Sequence, residues 1–196
     1  NKILRIKNLM KNRGPDDQSY KKIQFGKKNL HLFHSRLSIQ DLNKRSNQPY
    51  IFKDYILIFN GEIYNFKDLK NNLKKKFHTS SDTEVILYYY YLYKEKCFEL
   101  FEGMWSIVIY DRKKKKIIVS RDRFGEKPLL FYKKNEEIII SSQISFITEI
   151  LDTNQKFNNN KINTFIHCGY KSLFKNDETF FNNISWIGKA TITKID

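Results

Sequence analysis

Four apolar runs rich in β-branched and aromatic residues follow one another between Met104 and Ser142, and their spacing limits the folds open to this chain. The runs read MWSIVIYD, KIIVSRD, PLLFYK and EIIISS. Runs of this length and composition are typical of β-strands. The segments between them are too short for the crossover helices that parallel strands require, so the spacing predicts antiparallel strands. We therefore expect sheet packed on sheet rather than a mainly parallel sheet.

Further strands and helices are predicted on both sides of these runs. Strand candidates are KIQFG and LHLFHSRLSI, joined by the turn GKKN, together with YILIFNG and KATITKI. Apolar spacing predicts helices over 3–11, 65–77, 81–93, 144–151 and 160–169. Asn65 with Asp68, and Ser81 with Glu84, are expected to cap the second and third of these helices. Because helices and strands are grouped rather than alternating, the sequence predicts the α+β class, as one domain over residues 1–196.

The chain is strongly basic, with a formal net charge of +15, yet the pattern of that charge does not favour a nucleic-acid partner. Only seven of the 36 basic residues are arginines, and the lysines are scattered. The two lysine-rich runs, 74–76 and 112–116, fall at a predicted helix end and a predicted hairpin turn. A dedicated nucleic-acid binder would favour arginine forks and a contiguous stripe. We expect no nucleic-acid partner, and a tight complex at high salt is the observation that would reverse this.

Location and metal content are also constrained by the sequence. No apolar run approaches the roughly 20 residues of a membrane span. Cys97 and Cys168 lie far apart and are interpreted as reduced thiols in a cytoplasmic protein without a membrane partner. Neither the cysteines nor the four histidines show the spacing of a metal site.

Four short stretches place polar residues at strand ends and turns, where binding groups tend to lie. They are RGPDD (13–17), HSRLSI (34–39), NGEIYN (60–65) and SSDTE (80–84). Taken singly, each has an ordinary structural explanation. Arg36 could serve in a structural ion pair, Asp82 could be a favourable charge at a helix N-terminus, and Asn60-Gly61 could be a turn.

Taken together and in this order, the stretches resemble the glutaminase domain of class II glutamine amidotransferases, of the type found in glutamine-hydrolysing asparagine synthetases. The same order includes QP at 48–49, GMWSIVIYD at 103–111 and RDRFGEKPL at 121–129. The resemblance covers nearly the whole chain, down to the final TITKI. Several independent motifs at family-like spacing make it specific.

The resemblance implies an N-terminal-nucleophile hydrolase sandwich, with two antiparallel sheets packed between helical layers. It implies attack of an N-terminal cysteine thiolate on the side-chain amide of glutamine, with the α-amine of that cysteine as base. The family's oxyanion donors fall on the Asn60 side-chain amide and the Gly61 N–H. Its carboxylate-binding arginine falls on Arg36, and its ammonium-binding carboxylates fall on Glu62 and Asp82.

The sequence departs from the family pattern in three places. The family opens on Cys-Gly-Ile, whereas this sequence opens inside the helix before RGPD, so we expect a chain truncated at its N-terminus and inactive by itself. Neither Cys97 nor Cys168 can replace a nucleophile whose thiol and amine share one N-terminal residue. The family's C-terminal synthetase domain, which binds MgATP, is also absent. Glu126 stands where an apolar residue is usual, either near the ammonia exit or without effect.

The sequence therefore predicts a glutaminase domain that supplies ammonia for ATP-dependent amidation of aspartate to asparagine in a longer enzyme. The expected partners are L-glutamine, the synthetase domain of the parent chain and, by analogy, a second copy in a homodimer. We expect no cofactor or metal in the domain itself. Two alternatives stay open: a related amidotransferase with another acceptor, and a non-catalytic module that binds glutamine or a partner subunit.

Overall fold

The computed structural model describes residues 2–173 and 175–196, and Asn1, the first residue of the sequence, lies outside them. The helices are α1 (Lys2–Met10), α2 (Phe66–Asn71), α3 (Asp82–Tyr93), α4 (Ile144–Leu151) and α5 (Asn159–Cys168). The strands are β1 (Asp17–Phe25), β2 (Lys28–Arg36), β3 (Tyr50–Phe52), β4 (Tyr55–Ile63), β5 (Gly103–Asp111), β6 (Lys116–Arg121), β7 (Leu130–Lys134), β8 (Glu137–Ser141), β9 (Ile184–Trp186) and β10 (Ile192–Ile195).

The described residues form three sheets, and every paired strand in them is antiparallel. One compact unit, Lys7–Lys127 with Ala190–Asp196, contains the hairpin β1–β2 and a five-stranded sheet in the order β10-β6-β5-β4-β3. The other unit, which includes Pro128–Lys189, contains a three-stranded sheet in the order β8-β7-β9. The predicted α+β class with antiparallel sheets is confirmed.

The hairpin spacing of the four central runs holds within pairs but not across all of them. Strand β5 pairs with β6, and β7 pairs with β8, as expected. Strands β6 and β7 belong to different sheets, and Asp122 follows directly after the end of β6. The Asp122 carboxylate accepts backbone N–H groups from Trp105, Phe124, Glu126 and Lys127, which holds the connecting loop in place.

Helix α3 is buried on nearly all sides and packs with the core side chains of the five-stranded sheet. Ser81 is its N-cap and accepts a hydrogen bond from the Thr83 N–H at 3.2 Å, as predicted. The Glu84 half of the expected capping box is wrong. Its carboxylate reaches back to the N–H groups of His78 and Thr79 instead, so it fixes the loop before the helix.

The helix predicted over 65–77 is shorter than expected, since α2 ends at Asn71. Asn65 occupies the N-cap position, as predicted, but its side chain makes no capping hydrogen bond. The Asn65 amide donates to the Leu100 carbonyl, and its oxygen accepts from the Glu102 N–H, so the side chain ties two loops together. Beyond the helix, Leu73 and Phe77 pack against the core, which takes the place of further helical turns. No helix within the described ranges is long and apolar enough to cross a membrane.

Candidate functional site

One cavity of about 320 Å³ brings together all five residues that the sequence singled out. It lies within the unit of residues 7–127, where β2, β4 and the start of α3 meet. The five are Arg36, Asn60, Gly61, Glu62 and Asp82. The remaining lining residues were not predicted individually: Arg13, His34, Ser35, Leu37, Ile39, Gln40, Ser46, Gln48, Phe59, Ser81, Thr83, Met104 and Lys127.

Asn60 and Gly61 lie inside strand β4 and do not form a turn. They pair with Ser106 and Trp105 of β5, and the strand continues to Ile63. Gly61 has a φ of 154°, a conformation that side-chain-bearing residues rarely adopt. A Cβ at this position would lie 2.1 Å from the Met104 carbonyl oxygen, so only glycine fits here. The strand therefore presents bare backbone to the cavity beside the Asn60 side chain.

Arg36, at the end of β2, is buried and already engages the loop that follows it. One Nη donates to the Asn43 carbonyl at 3.0 Å and to Asn47 Oδ1 at 2.6 Å. The other donates to the carbonyls of Gln40, at 3.2 Å, and Asp41. The guanidinium thus fixes one wall of the cavity. Its role in binding a substrate carboxylate stays a prediction.

The carboxylates of Glu62 and Asp82 both line the cavity and interact electrostatically. Asp82 is buried at the first turn of α3, where Oδ2 accepts the Ile63 N–H at 3.1 Å and Oδ1 accepts the Ser81 hydroxyl at 3.2 Å. Burial raises the pKa of Asp82, and the negative charge of Glu62 raises it further, against the lowering effect of these hydrogen bonds. Two neighbouring carboxylates in a buried setting form a site that favours a cation.

His34 is a second buried titratable group in the lining. Burial lowers its pKa from 6.5 to about 4, so the ring is neutral at ordinary pH. A hydrogen bond with the Phe59 backbone opposes this shift, which means that the ring donates to the Phe59 carbonyl. The Phe59 N–H donates to Gln48 Oε1 at 2.6 Å. Strand β3 pairs with β4 only at Tyr55–Leu57, so these two side chains satisfy the peptide groups just before Asn60.

Several of the unpredicted lining residues had a signal in the sequence. His34 lies in HSRLSI, Gln48 lies in QP and Lys127 lies in RDRFGEKPL, three of the motifs that carry the family resemblance. Gln40 follows HSRLSI directly and had no signal of its own. Glu126 is exposed, and only its backbone N–H contributes to the loop around Asp122.

The two cysteines do not line the cavity. Cys97 is fully buried, and burial raises the pKa of its thiol, which makes it a poor nucleophile. Cys168 is exposed at the end of α5, in the other unit. Among the described residues, no group of three or more His, Cys, Asp or Glu side chains could hold a metal ion.

Comparison with known proteins decides the family. The glutamine amidotransferase domain family matches residues 1–196. The chain belongs to this family. The full length of the match agrees with the order of motifs, which runs from the start of the sequence to its last strand.

Curated relatives of this glutamine amidotransferase domain include asparagine synthetases. It is 37% identical over 183 residues to asparagine synthetase [glutamine-hydrolyzing] 2 of Bacillus subtilis, covering 88% of this chain and 23% of that protein. It is 33% identical over 163 residues to asparagine synthetase B [glutamine-hydrolyzing] of Escherichia coli, covering 80% and 28%. The resemblance drawn from the motifs is confirmed, and the chain spans about a quarter of the length of these relatives.

Solved structures show the fold of the amidotransferase domain. The glutamine phosphoribosylpyrophosphate amidotransferase of B. subtilis aligns with a TM-score of 0.54 at 21% identity, covering 61% of this chain and 29% of that one. The structure of the allosteric regulatory enzyme of purine biosynthesis aligns with a TM-score of 0.55. At this identity the likeness concerns the fold alone, and the predicted N-terminal-nucleophile hydrolase fold is confirmed.

Proposed function

We propose that this chain is the glutaminase part of a glutamine-hydrolysing asparagine synthetase and that its cavity binds L-glutamine. The observation that carries the proposal is the convergence of Arg36, Asn60, Gly61, Glu62 and Asp82 on one cavity, although they are dispersed over the sequence. Glutamine has a carboxylate, an ammonium group and a carboxamide, and the cavity has a group suited to each.

Each group has a stated role in this proposal. Arg36 takes the α-carboxylate, and because both of its Nη groups donate to the loop after β2, binding exchanges loop acceptors for the two carboxylate oxygens. Glu62 and Asp82 take the α-ammonium, whose positive charge relieves the repulsion between them. The Asn60 amide and the Gly61 N–H face the carboxamide oxygen and stabilise the oxyanion, each donor lowering the barrier by about 3 kcal/mol.

The nucleophile in this proposal is the thiolate of an N-terminal cysteine, whose own α-amine takes up the thiol proton. The thiolate adds to the carboxamide carbon, ammonia leaves, and water then hydrolyses the thioester to glutamate. The described part of the chain has thiols only at Cys97 and Cys168, which lie outside the cavity. The 196-residue chain by itself therefore binds glutamine without hydrolysing it.

The released ammonia serves, in the longer enzyme, for the ATP-dependent amidation of aspartate to asparagine in the cytoplasm. The partner is a synthetase domain that binds MgATP and corresponds to the portion of the relatives that this chain does not cover. A homodimer is a further part of the proposal that rests on analogy with the family.

Ammonia release from L-glutamine tests this function in three proteins: the 196-residue chain, a chain extended by its upstream coding segment to begin at a cysteine, and the extended chain with that cysteine changed to alanine. We expect release only from the second protein. Equal release from the first and second would show that the nucleophile lies elsewhere.

A non-catalytic glutamine-binding module is the second candidate, favoured by the positions of the two thiols. The same experiment separates the two functions. An upstream segment that offers no cysteine, together with calorimetric binding of L-glutamine and no ammonia release, would favour the module.

A further inference from the structure

The side chain of Gln40 has an orientation that its neighbour fixes. Its Nε2 donates to Glu62 Oε1 at 2.9 Å. Because a carboxylate only accepts hydrogen bonds, the NH₂ end of the amide must face Glu62 and the carbonyl end must face away. That oxygen, Oε1, is buried and has no partner in the described part of the chain.

A buried carbonyl oxygen without a partner is costly and calls for a missing donor. Gln40 lines the same cavity as Glu62 and Asp82, on the wall that Arg36 holds in place. The cavity therefore combines two carboxylates with an unused neutral acceptor attached to one of them.

An ammonium group needs a set of acceptors of this kind. The group has three N–H donors, and each needs an acceptor when the group leaves water. Asp82 uses both oxygens in part on protein donors, and Glu62 uses Oε1 on Gln40. The two carboxylates retain lone pairs for the ammonium group, and Gln40, bonded to Glu62 through Nε2, offers Oε1 as a third acceptor.

We propose that Gln40 is a binding residue for the α-ammonium group of the ligand, accepting its third hydrogen bond at Oε1. The inference rests on the proposed function and extends it, because it makes the site selective for α-amino acids through a residue outside the motifs. A neutral acceptor in this position adds a hydrogen bond without adding a third negative charge to the pair.

Binding of two ligands tests the proposal by calorimetry on the 196-residue chain. L-Glutamine carries the α-ammonium, and 4-carbamoylbutanoate is the same molecule without it. In Gln40→Met, which keeps the length and removes the amide, we expect affinity for L-glutamine to fall about tenfold or more, since a charge-assisted hydrogen bond is lost. Affinity for 4-carbamoylbutanoate should stay within about twofold. Gln24→Met, at an exposed glutamine of β1, is the matched control and should change neither.

A second variant separates contact from the mere holding of Glu62. Gln40→Glu keeps an acceptor at this position and loses the donor to Glu62. Retained preference for L-glutamine in this variant supports direct contact, whereas a loss as large as in Gln40→Met overturns it. An unchanged preference in Gln40→Met also overturns the inference while leaving the function intact. Failure of the unaltered chain to bind L-glutamine contradicts the proposed function and the inference with it.

Discussion

At the scale of single residues, His34 links the cavity to the stability of the fold. Its pKa is lowered from 6.5 to about 4 by burial, with the positive charge of Arg36 acting in the same direction and Asp17 opposing. Between these two values the unfolded chain binds a proton that the folded chain does not. The free energy of unfolding must therefore decrease as the pH falls from 6.5 to about 4.

The His34 contribution to this decrease should reach about 3 kcal/mol at the acid end of the window. His34→Gln removes the titrating group, yet its side-chain NH₂ can still donate to the Phe59 carbonyl. Urea unfolding of both proteins from pH 7.5 to 4 gives the difference in stability. We expect the variant to lose less stability than the unaltered chain as the pH falls. Parallel decreases in both proteins would contradict the assigned pKa.

The cavity residues could be predicted from the sequence only where a motif carried them, and their roles stay predictions. Arg36, Asn60 and Asp82 were found because their neighbours matched a family order. Gln40 could not be found in this way, since its significance lies in one amide end facing Glu62 and the other facing nothing. Unsatisfied atoms of this kind depend on contacts in the folded chain, which the spacing of residues in the sequence does not reveal.

At the scale of elements, the pairing of β4 with β5 should be sensitive to substitution of Gly61. Gly61→Ala places a Cβ 2.1 Å from the Met104 carbonyl oxygen at a φ of 154°. The backbone conformation alone costs about 1–3 kcal/mol, and the clash adds to it. We expect a loss of more than about 3 kcal/mol in urea unfolding.

Gly26→Ala is the matched control for this substitution. Gly26 also has a positive φ, of 59°, but its Cβ would meet nothing within 4 Å. Only the conformational cost of about 1–2 kcal/mol should remain. Equal losses of stability in the two variants would mean that the clash with the Met104 carbonyl at position 61 costs nothing.

The loop between β2 and β3 depends on Arg36 for its shape. Arg36→Lys replaces a fork that reaches four acceptors with a single ammonium group, so the loop carbonyls lose donors. We expect faster amide hydrogen exchange in residues 40–47 and at least tenfold weaker binding of L-glutamine.

Arg45→Lys is the control in the same loop. Arg45 is half exposed and pairs with Asp41 at 3.3 Å, an interaction of the kind that contributes little. Its hydrogen exchange and ligand affinity should stay close to those of the unaltered chain. If Arg36→Lys behaves in the same way, Arg36 neither shapes the loop nor binds the ligand.

Element types were predictable from periodicity, whereas element ends were not. The strand runs and α3 follow directly from their apolar patterns. Helix α2 ends early, at Asn71, and Leu73 and Phe77 pack against the core without further helical turns. Strands β3 and β9, of three residues each, were missed because so short a run carries no periodicity.

At the scale of the whole molecule, the net charge of +15 invites a test with nucleic acid. Some lysines are engaged with aromatic rings: Lys53 lies 3.8 Å from the Tyr91 ring centre, and Lys75 lies 3.8 Å from that of Tyr88. We expect weak binding to duplex DNA of any sequence, lost at about 200 mM salt. A sequence-selective complex that survives this salt in a titration of fluorescent DNA would overturn the expectation.

The class and family of the molecule were accessible from sequence because both rest on patterns that many residues share. Antiparallel pairing follows from connection lengths, and the family from the order of several motifs. The division of the chain into two compact units was not foreseen.

Trp105 stands directly opposite Gly61 in the β4–β5 register, buried, with its indole N–H donating to the Ser120 hydroxyl at 3.1 Å. The sequence contains one other tryptophan, Trp186, in the other unit. Replacing Trp186 with phenylalanine would leave a single intrinsic fluorophore against the strand that presents Asn60 and Gly61. The fluorescence emission of Trp105 would then report any displacement of β4 on ligand binding, without an attached dye.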